Sequence, residues 1–211
     1  MTYSVNEIAS LFRKAGIGAG LPSGMAEDIS RAGLWLLAHD LAGDDAVLHG
    51  ISNLEPHLSM ERADSQNIVI HRFCSALDGL SIFDLATAST SPFQARLIQI
   101  DNPMLLVGMA GIAATDYNLQ ITLEFSDKSS FTVEADGSVA GDLSVPDRDA
   151  DAVLTCQPGA AHQEKYRDVS STVLVGDDTF KKLLILAAKT YVPATAASRE
   201  KGAGAGLTDN D

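Results

Sequence analysis

Two neighbouring segments of the chain alternate strictly between apolar and polar residues. They are LQITLEF at 119–125 and SFTVEA at 130–135. Such alternation predicts β-strands with one buried face, because successive side chains of a strand point to opposite sides. The short Asp127-Lys128 connection predicts that the two strands form an antiparallel hairpin. A chain with this hairpin must build a sheet and bury one of its faces.

Further strands are expected around the hairpin. The segments with strand character are FQARLIQI at 93–100, the continuously apolar MLLVGMAGIAA at 104–114 and a short run at 152–156. We interpret 104–114 as a buried strand that bends at Gly108 and Gly111, since glycine inside a strand marks a bend or an interruption. The polar stretch at 59–66 is predicted to be a loop. Together these segments predict a central, mostly antiparallel sheet.

Helical patterns precede and follow the strands. Ser4 and Glu7 form a capping box ahead of an apolar stripe. This pattern predicts a first helix over 4–15, which the glycines at 16–20 end. Two more helices are predicted at 22–43 and 44–54, and a last one begins at Asp177 or Asp178 and ends before Pro193.

The order of helices, then strands, then a helix indicates an α+β fold. The strand–helix alternation of a doubly wound sheet is missing from the pattern, which argues against a nucleotide-binding domain of that kind. We expect one α+β domain over 1–193, whose N-terminal helical part covers about 1–58. The Gly-rich residues 194–211 are expected to form an extended arm.

The charge of the chain narrows its range of partners. Its 211 residues include 28 acidic and 15 basic side chains, which give a formal net charge of −13. Such a surface repels phosphate groups, so neither nucleic acids nor anionic membranes are expected as partners. No apolar stretch is long enough to span a membrane and no secretory signal is visible, which predicts a cytoplasmic protein. Cys74 and Cys156 fit a reducing compartment, and their pairing is left open.

Two G-x-G-A-G-L hexamers occur in the chain, GIGAGL at 16–21 and GAGAGL at 202–207. Neither has the G-x-G-x-x-G spacing of a dinucleotide-binding loop, and neither carries the lysine of a phosphate-binding loop. The first hexamer is interpreted as a helix–helix connection and the second as a flexible lead into the final Thr-Asp-Asn-Asp. No cofactor is predicted from either.

Six residues are candidates for a ligand site. The arginine among them lies in a segment of small residues and is able to hold a carboxylate through two hydrogen bonds. The end of the chain supplies oxygen donors, and the N-terminal helices supply two imidazoles. The candidates are Arg199, Thr208, Asp209, Asp211, His39 and His49. The histidines and carboxylates show no spacing typical of a metal site, so no metal is predicted, and no catalytic residue is assigned.

The N-terminal residues SVNEIASLFRKAGIGAGLPSGM and the C-terminal residues TYVPATAASREKGAGAGLTDND resemble an uncharacterised bacterial family, the domain of unknown function 3726. The resemblance extends over nearly the full length. It implies a bacterial, cytoplasmic protein without an established activity, cofactor or catalytic residue. The first helices also resemble the N-terminal helices of the malate/L-lactate dehydrogenase type of bacterial oxidoreductase, in a resemblance that includes no cofactor residues.

Two functions follow from these patterns. The first is a small-molecule-binding protein or enzyme of bacterial metabolism, with its site where the C-terminal arm meets the N-terminal helices. The alternative is a non-catalytic accessory protein, a homo-oligomer whose arm docks on a neighbouring subunit. We favour the first, because an arm that supplied only contact area would carry larger apolar groups than alanine and glycine. Whether the protein is an enzyme, and for which ligand, is left open.

Overall fold

A seven-stranded sheet and the helices packed on one of its faces form the centre of the protein. The computed structural model describes residues 1–52, 54, 59–62, 67–89, 92–141, 145–146, 149–160 and 171–191. Six helices and nine strands lie within these residues and confirm the α+β class. The helices are α1 (Val5–Gly18), α2 (Ser23–Ala38), α3 (Gly43–Ser52), α4 (Ser75–Thr87), α5 (Pro103–Tyr117) and α6 (Asp177–Ala188). The strands are β1 (Thr2–Ser4), β2 (Ser59–Arg62), β3 (Asn67–His71), β4 (Phe93–Ile100), β5 (Leu119–Phe125), β6 (Ser130–Val133), β7 (Val139–Gly141), β8 (Ala150–Pro158) and β9 (Thr172–Leu174).

The large sheet has the strand order β2-β3-β4-β8-β5-β6-β7. Among its described pairings, only β3 and β4 run parallel, and α4 connects these two strands. The remaining pairs are antiparallel, which confirms the predicted character of the sheet. Strand β8 lies between β4 and β5 and joins the two halves of the sheet. The β3-α4-β4 unit is the one strand–helix–strand unit among the described residues whose two strands pair in parallel, as in a doubly wound sheet.

A second, two-stranded sheet ties the two ends of the described chain together. Strand β1 pairs antiparallel with β9, and Val175 N–H donates to the carbonyl oxygen of Met1 over 3.1 Å. The rings of Tyr3 and Phe180 stack with their centroids 4.3 Å apart. These contacts hold α6 beside α1.

The segment at 104–114 is a helix, so the prediction of a buried strand is wrong. Asn102 caps α5 by accepting a hydrogen bond from Leu105 N–H over 3.1 Å, and Pro103 begins the helix. Every residue from 105 to 114 is buried. A helix that is buried on all sides shows no apolar–polar period, and length and flanking residues then decide between helix and strand. Asparagine followed by proline is such a helix start.

The two glycines of α5 allow its neighbours to approach closely. A Cβ atom at Gly111 would lie 2.2 Å from Cε2 of Trp35, and one at Gly108 would lie 2.7 Å from the carbonyl oxygen of Ala32. Both contacts are with α2. Glycine in α5 therefore marks the packing of two helices, where the sequence pattern indicated a bend in a strand.

Other boundaries also differ from the predictions, and α2 ends at Ala38 instead of at 43. Helix α1 begins as expected, since the Ser4 hydroxyl accepts a hydrogen bond from Glu7 N–H over 3.2 Å, but it continues through Gly16 to Gly18. A Cβ atom at Gly18 would lie 1.9 Å from the carbonyl oxygen of Leu186, so this glycine allows α6 to pack against α1. The first part of the predicted loop at 59–66 forms strand β2.

The expected arm at 194–211 lies outside the described residues. In the part of the chain that the structure describes, no helix has both the length and the apolar character needed to cross a membrane.

Gly111→Ala is expected to destabilise the protein by about 1–3 kcal/mol, because the added methyl group would overlap the Trp35 ring. Urea unfolding followed by circular dichroism measures this change. Gly24→Ala is the matched control, since Gly24 lies in α2 and an added Cβ atom would have no neighbour within 4 Å. The control is expected to be neutral or stabilising. Equal unfolding midpoints for Gly111→Ala and the unmodified protein would contradict the close packing of α2 on α5.

Candidate functional site

The structure describes two of the six predicted site residues. His39 lies at the C-terminal end of α2, where Nδ1 is 2.8 Å from the carbonyl oxygen of Trp35 and Nε2 is 3.3 Å from that of Gly137. Its ring also stacks on Trp35 at a centroid distance of 3.8 Å. These contacts connect α2 to the turn between β6 and β7. The four candidates that lie outside the described residues are Arg199, Thr208, Asp209 and Asp211.

His49 lines a shallow cavity of about 640 Å³ between α3 and α6. Other polar groups of this cavity already have partners, since the Asp45 carboxylate accepts a hydrogen bond from Thr179 and Lys182 pairs with Asp178. His39 does not line this cavity. The two histidines therefore lie in different places.

A group of charged and polar residues that the sequence patterns do not indicate lies where α2, α4 and α5 meet. It consists of Asp28 and Arg31 on α2, Asp84 on α4, and Asp116 and Tyr117 at the end of α5. We call this group the acidic cleft. It surrounds a cavity of about 240 Å³ whose remaining walls include Met25, Leu80 and Met109.

Two polar contacts hold the walls of the acidic cleft together. Nη2 of Arg31 lies 2.8 Å from each carboxylate oxygen of Asp116 and connects α2 to α5. The Tyr117 hydroxyl donates a hydrogen bond to Oδ1 of Asp84 over 2.7 Å and connects α5 to α4. This hydrogen bond, with burial as a smaller cause, raises the pKa of Tyr117 to about 12, so that its hydroxyl stays a donor at neutral pH.

Asp28 differs from the other two carboxylates of the cleft. It is half-buried, and it has no hydrogen-bond partner within the described residues. Burial raises the pKa of Asp28, the neighbouring Arg31 lowers it in part, and Glu27, Asp116 and Asp84 raise it further. An ionised carboxylate in this position costs folding free energy that no hydrogen bond within the described residues offsets.

The charges of the acidic cleft favour a positively charged ligand. Three carboxylates lie beside one guanidinium, and both oxygens of one carboxylate are already engaged with that guanidinium. The cavity thus combines uncompensated negative charge with thioether and aliphatic walls, an arrangement suited to an ammonium group on a short apolar body. Among the described residues, no three histidine, cysteine or acidic side chains are arranged to hold a metal ion.

One part of this cleft is visible in the sequence, but the sequence alone does not predict that a cleft forms. Asp28 and Arg31 are three residues apart and share one face of a predicted helix. Asp116 and Tyr117, however, follow a segment that the sequence pattern predicts to be a strand, so the pattern does not place them beside α2.

The two cysteines are both free and buried. Burial raises the pKa of Cys74 and of Cys156 to about 12 in each case. Neither thiol therefore has the thiolate character of a reactive cysteine. The sequence leaves open whether Cys74 and Cys156 are paired, and in the structure they are not.

Comparison with known protein families gives a match for part of the chain. Residues 3–91 match the family described as "Protein of unknown function (DUF3726)", which confirms the predicted resemblance over this part of the chain. No curated protein matches the sequence.

A solved structure shares the fold at low sequence identity. A sulfolactate dehydrogenase from Methanocaldococcus jannaschii aligns with 90% of this chain and 97% of its own, with 8% identity and a TM-score of 0.53. A dehydrogenase from Sinorhizobium meliloti aligns with 90% and 94% of the two chains, at 10% identity and a TM-score of 0.47. A malate dehydrogenase from Pyrococcus horikoshii OT3 aligns with 58% and 39%, at 14% identity and a TM-score of 0.43. The likeness to the first of these proteins concerns the fold alone.

Asp28→Asn is expected to stabilise the protein at neutral pH by about 0.5 kcal/mol, the scale of a partly exposed charge interaction. Because the pKa of Asp28 is raised in the folded state, its contribution to stability is largest below the unfolded pKa. That contribution is lost as the pH rises through the folded pKa. Urea unfolding at neutral and acidic pH measures the difference, which should vanish in acid.

The control for this change is Glu27→Gln, one residue away. Glu27 is exposed and its Oε2 lies 3.1 Å from Nε of Arg13, so losing its charge should leave stability unchanged or slightly reduced. A loss of stability in Asp28→Asn at neutral pH would contradict the interpretation that the Asp28 charge is unfavourable.

Proposed function

We propose that this protein binds a small organic cation in the acidic cleft. One observation carries the proposal: the half-buried Asp28 carboxylate has no hydrogen-bond partner within the described residues, although the cleft around it is built from side chains that do. A charge that lowers stability is retained where binding requires it, since functional sites commonly trade stability for function. The role is that of a small-molecule-binding protein, and we place it in the cytoplasm because its cysteines are free.

The size and chemistry of the cleft define the ligand class. A cavity of about 240 Å³ has room for roughly eight water molecules at about 30 Å³ each. An ammonium group would donate hydrogen bonds to Asp28, and an apolar portion of a few carbon atoms would contact Met25, Leu80 and Met109. Tyr117 and Asp116 are already held by their own partners and give the cleft a fixed shape. Ligand binding would therefore need little rearrangement.

A thermal-shift and calorimetry panel tests the proposal with n-butylamine, n-butanol and butyrate as probes of equal chain length. The ammonium compound is expected to bind and the neutral and anionic compounds are not. At one hundred times its dissociation constant, a ligand stabilises a fold by about 2.7 kcal/mol, which such a panel detects. Asp28→Asn is expected to weaken binding by at least about tenfold, the value of a charged hydrogen bond.

Glu27→Gln serves as the matched control in the same panel, because it removes an equal charge from the same helix outside the cleft. It should retain most of the affinity for the amine. Equal binding of the amine and the alcohol, or unchanged binding in Asp28→Asn, would refute the proposed role of the cleft.

We propose a second binding region at the C-terminal arm, as the sequence indicated. His49 supports this proposal, because its cavity adjoins α6, the helix that precedes the arm. Arg199 with Thr208, Asp209 and Asp211 would complete the region, with a small carboxylate as the ligand of Arg199.

Truncation after Thr195 tests the role of the arm. Loss of acetate or succinate binding, with n-butylamine binding in the acidic cleft retained, is expected in calorimetry. If the truncated chain binds these carboxylates as well as the full chain does, the arm has no part in a site.

A further inference from the structure

Among the described residues, helices cover one face of the large sheet and no helix packs on the other, which we call the uncovered face. Within the described residues, the helices with the most contact to this sheet are α4 and α5, which also pack against each other. Their face carries the fully buried side chains, such as Leu97, Leu154 and Leu123. The opposite face carries the alternate residues of the same strands, which are half-buried or exposed.

A row of side chains crosses this uncovered face at its middle. Val69 on β3 pairs in register with Arg96 on β4, Arg96 pairs with Val153 on β8, and Val153 pairs with Glu124 on β5. Adjacent strands are about 4.8 Å apart, so Arg96 and Glu124 stand on either side of Val153 and about 10 Å from each other. Both charged side chains are exposed, and neither has a hydrogen bond or ion pair within the described residues.

The polar side chains beside this row are largely paired with one another. Thr122 and Thr132 share a hydrogen bond of 2.9 Å across β5 and β6. The amide of Gln120 donates to both carboxylate oxygens of Glu134 over 2.8 and 2.9 Å, and the amide of Gln157 donates to Gln120. Because these groups bond within the plane of the sheet, covering them costs less than covering unpaired polar groups.

We propose that the uncovered face is the contact surface between two copies of this chain, related by a two-fold axis that runs along β8. Such an axis leaves Val153 facing its own copy and exchanges the two sides of the row. Arg96 of each copy then faces Glu124 of the other. Stacked sheets lie about 10 Å apart, a gap that an extended arginine and a glutamate span together.

The positions of the charges favour a second copy of this chain as the partner, and they favour the two-fold axis along β8. A two-fold axis perpendicular to the strands would place Arg96 over Arg96 and Glu124 over Glu124, which is repulsive. The axis along β8 gives two opposite-charge contacts from one pair of residues, the self-complementary arrangement that an isologous interface requires. It also brings the two copies of Asp151, which lies near the end of β8, towards each other.

Variants with exchanged charges test this proposal. Their dimerisation is measured by sedimentation of the full-length chain at several concentrations. The unmodified protein is expected to be a dimer. Arg96→Glu and Glu124→Arg are each expected to weaken dimerisation by at least about tenfold, because each places like charges opposite one another. The double variant Arg96→Glu/Glu124→Arg is expected to recover the affinity of the unmodified protein.

The recovery distinguishes an interface from a folding defect. Arg96 and Glu124 are two strands apart in one chain, so exchanging them restores no contact within that chain. Asp151→Asn is expected to strengthen the dimer severalfold, because it removes a like-charge approach. The chain truncated after Thr195 is expected to remain a dimer, which separates this surface from docking of the arm.

A monomeric protein at all concentrations would overturn the proposal, as would single variants that dimerise normally. Failure of the double variant to recover, with its circular dichroism spectrum unchanged, would also overturn it. A dimer that requires the arm would overturn it as well and assign the contact to the arm.

Discussion

The packing of α5 on all of its sides is the constraint on which the other parts of the structure depend. This helix contacts α2, α3 and α4 as well as the sheet. Each of its large apolar side chains, such as Leu105, Leu106 and Ile112, contributes about 1.5–3 kcal/mol by leaving water. Contact on every side is possible only because Gly108 and Gly111 leave room for α2. The positions of α2 and α4 relative to one another are thus determined by the helix between them.

The acidic cleft is a consequence of that arrangement. Helix α5 is apolar up to Ala114, and it leaves the core over its last three residues, from Thr115 to Tyr117. At that point its neighbours α2 and α4 present Arg31 and Asp84, and the two polar contacts form across the helix boundaries. The stable core thereby holds a carboxylate, that of Asp28, in surroundings that disfavour its charge. The core makes the cleft rigid, and the unfavourable charge of Asp28 lowers the free energy of unfolding.

The sequence predicted local structure well where one face of an element is exposed. Strands β4 and β5 have the predicted bounds at both ends, and the Ser4 cap of α1 forms as expected. In these elements, alternation or a capping pair reflects contact with water on one side. Helix α5 has no such side, so its continuous apolar run does not distinguish a buried helix from a buried strand. The acidic cleft was out of reach for a related reason, since its five residues come from three helices and meet only after α5 is placed.

The central position of β8 has a consequence for how the sheet is assembled. Strands β2, β3 and β4 come from one stretch of chain and β5, β6 and β7 from another, and the two groups are neighbours only through β8. Until residues 150–158 pair on both sides, β4 and β5 each present an unpaired edge beside apolar side chains. Such edges attract other chains, and long-range pairing is slow to form. During synthesis the protein is therefore most exposed to aggregation in the interval before β8 leaves the ribosome, a vulnerability that its folded state does not show.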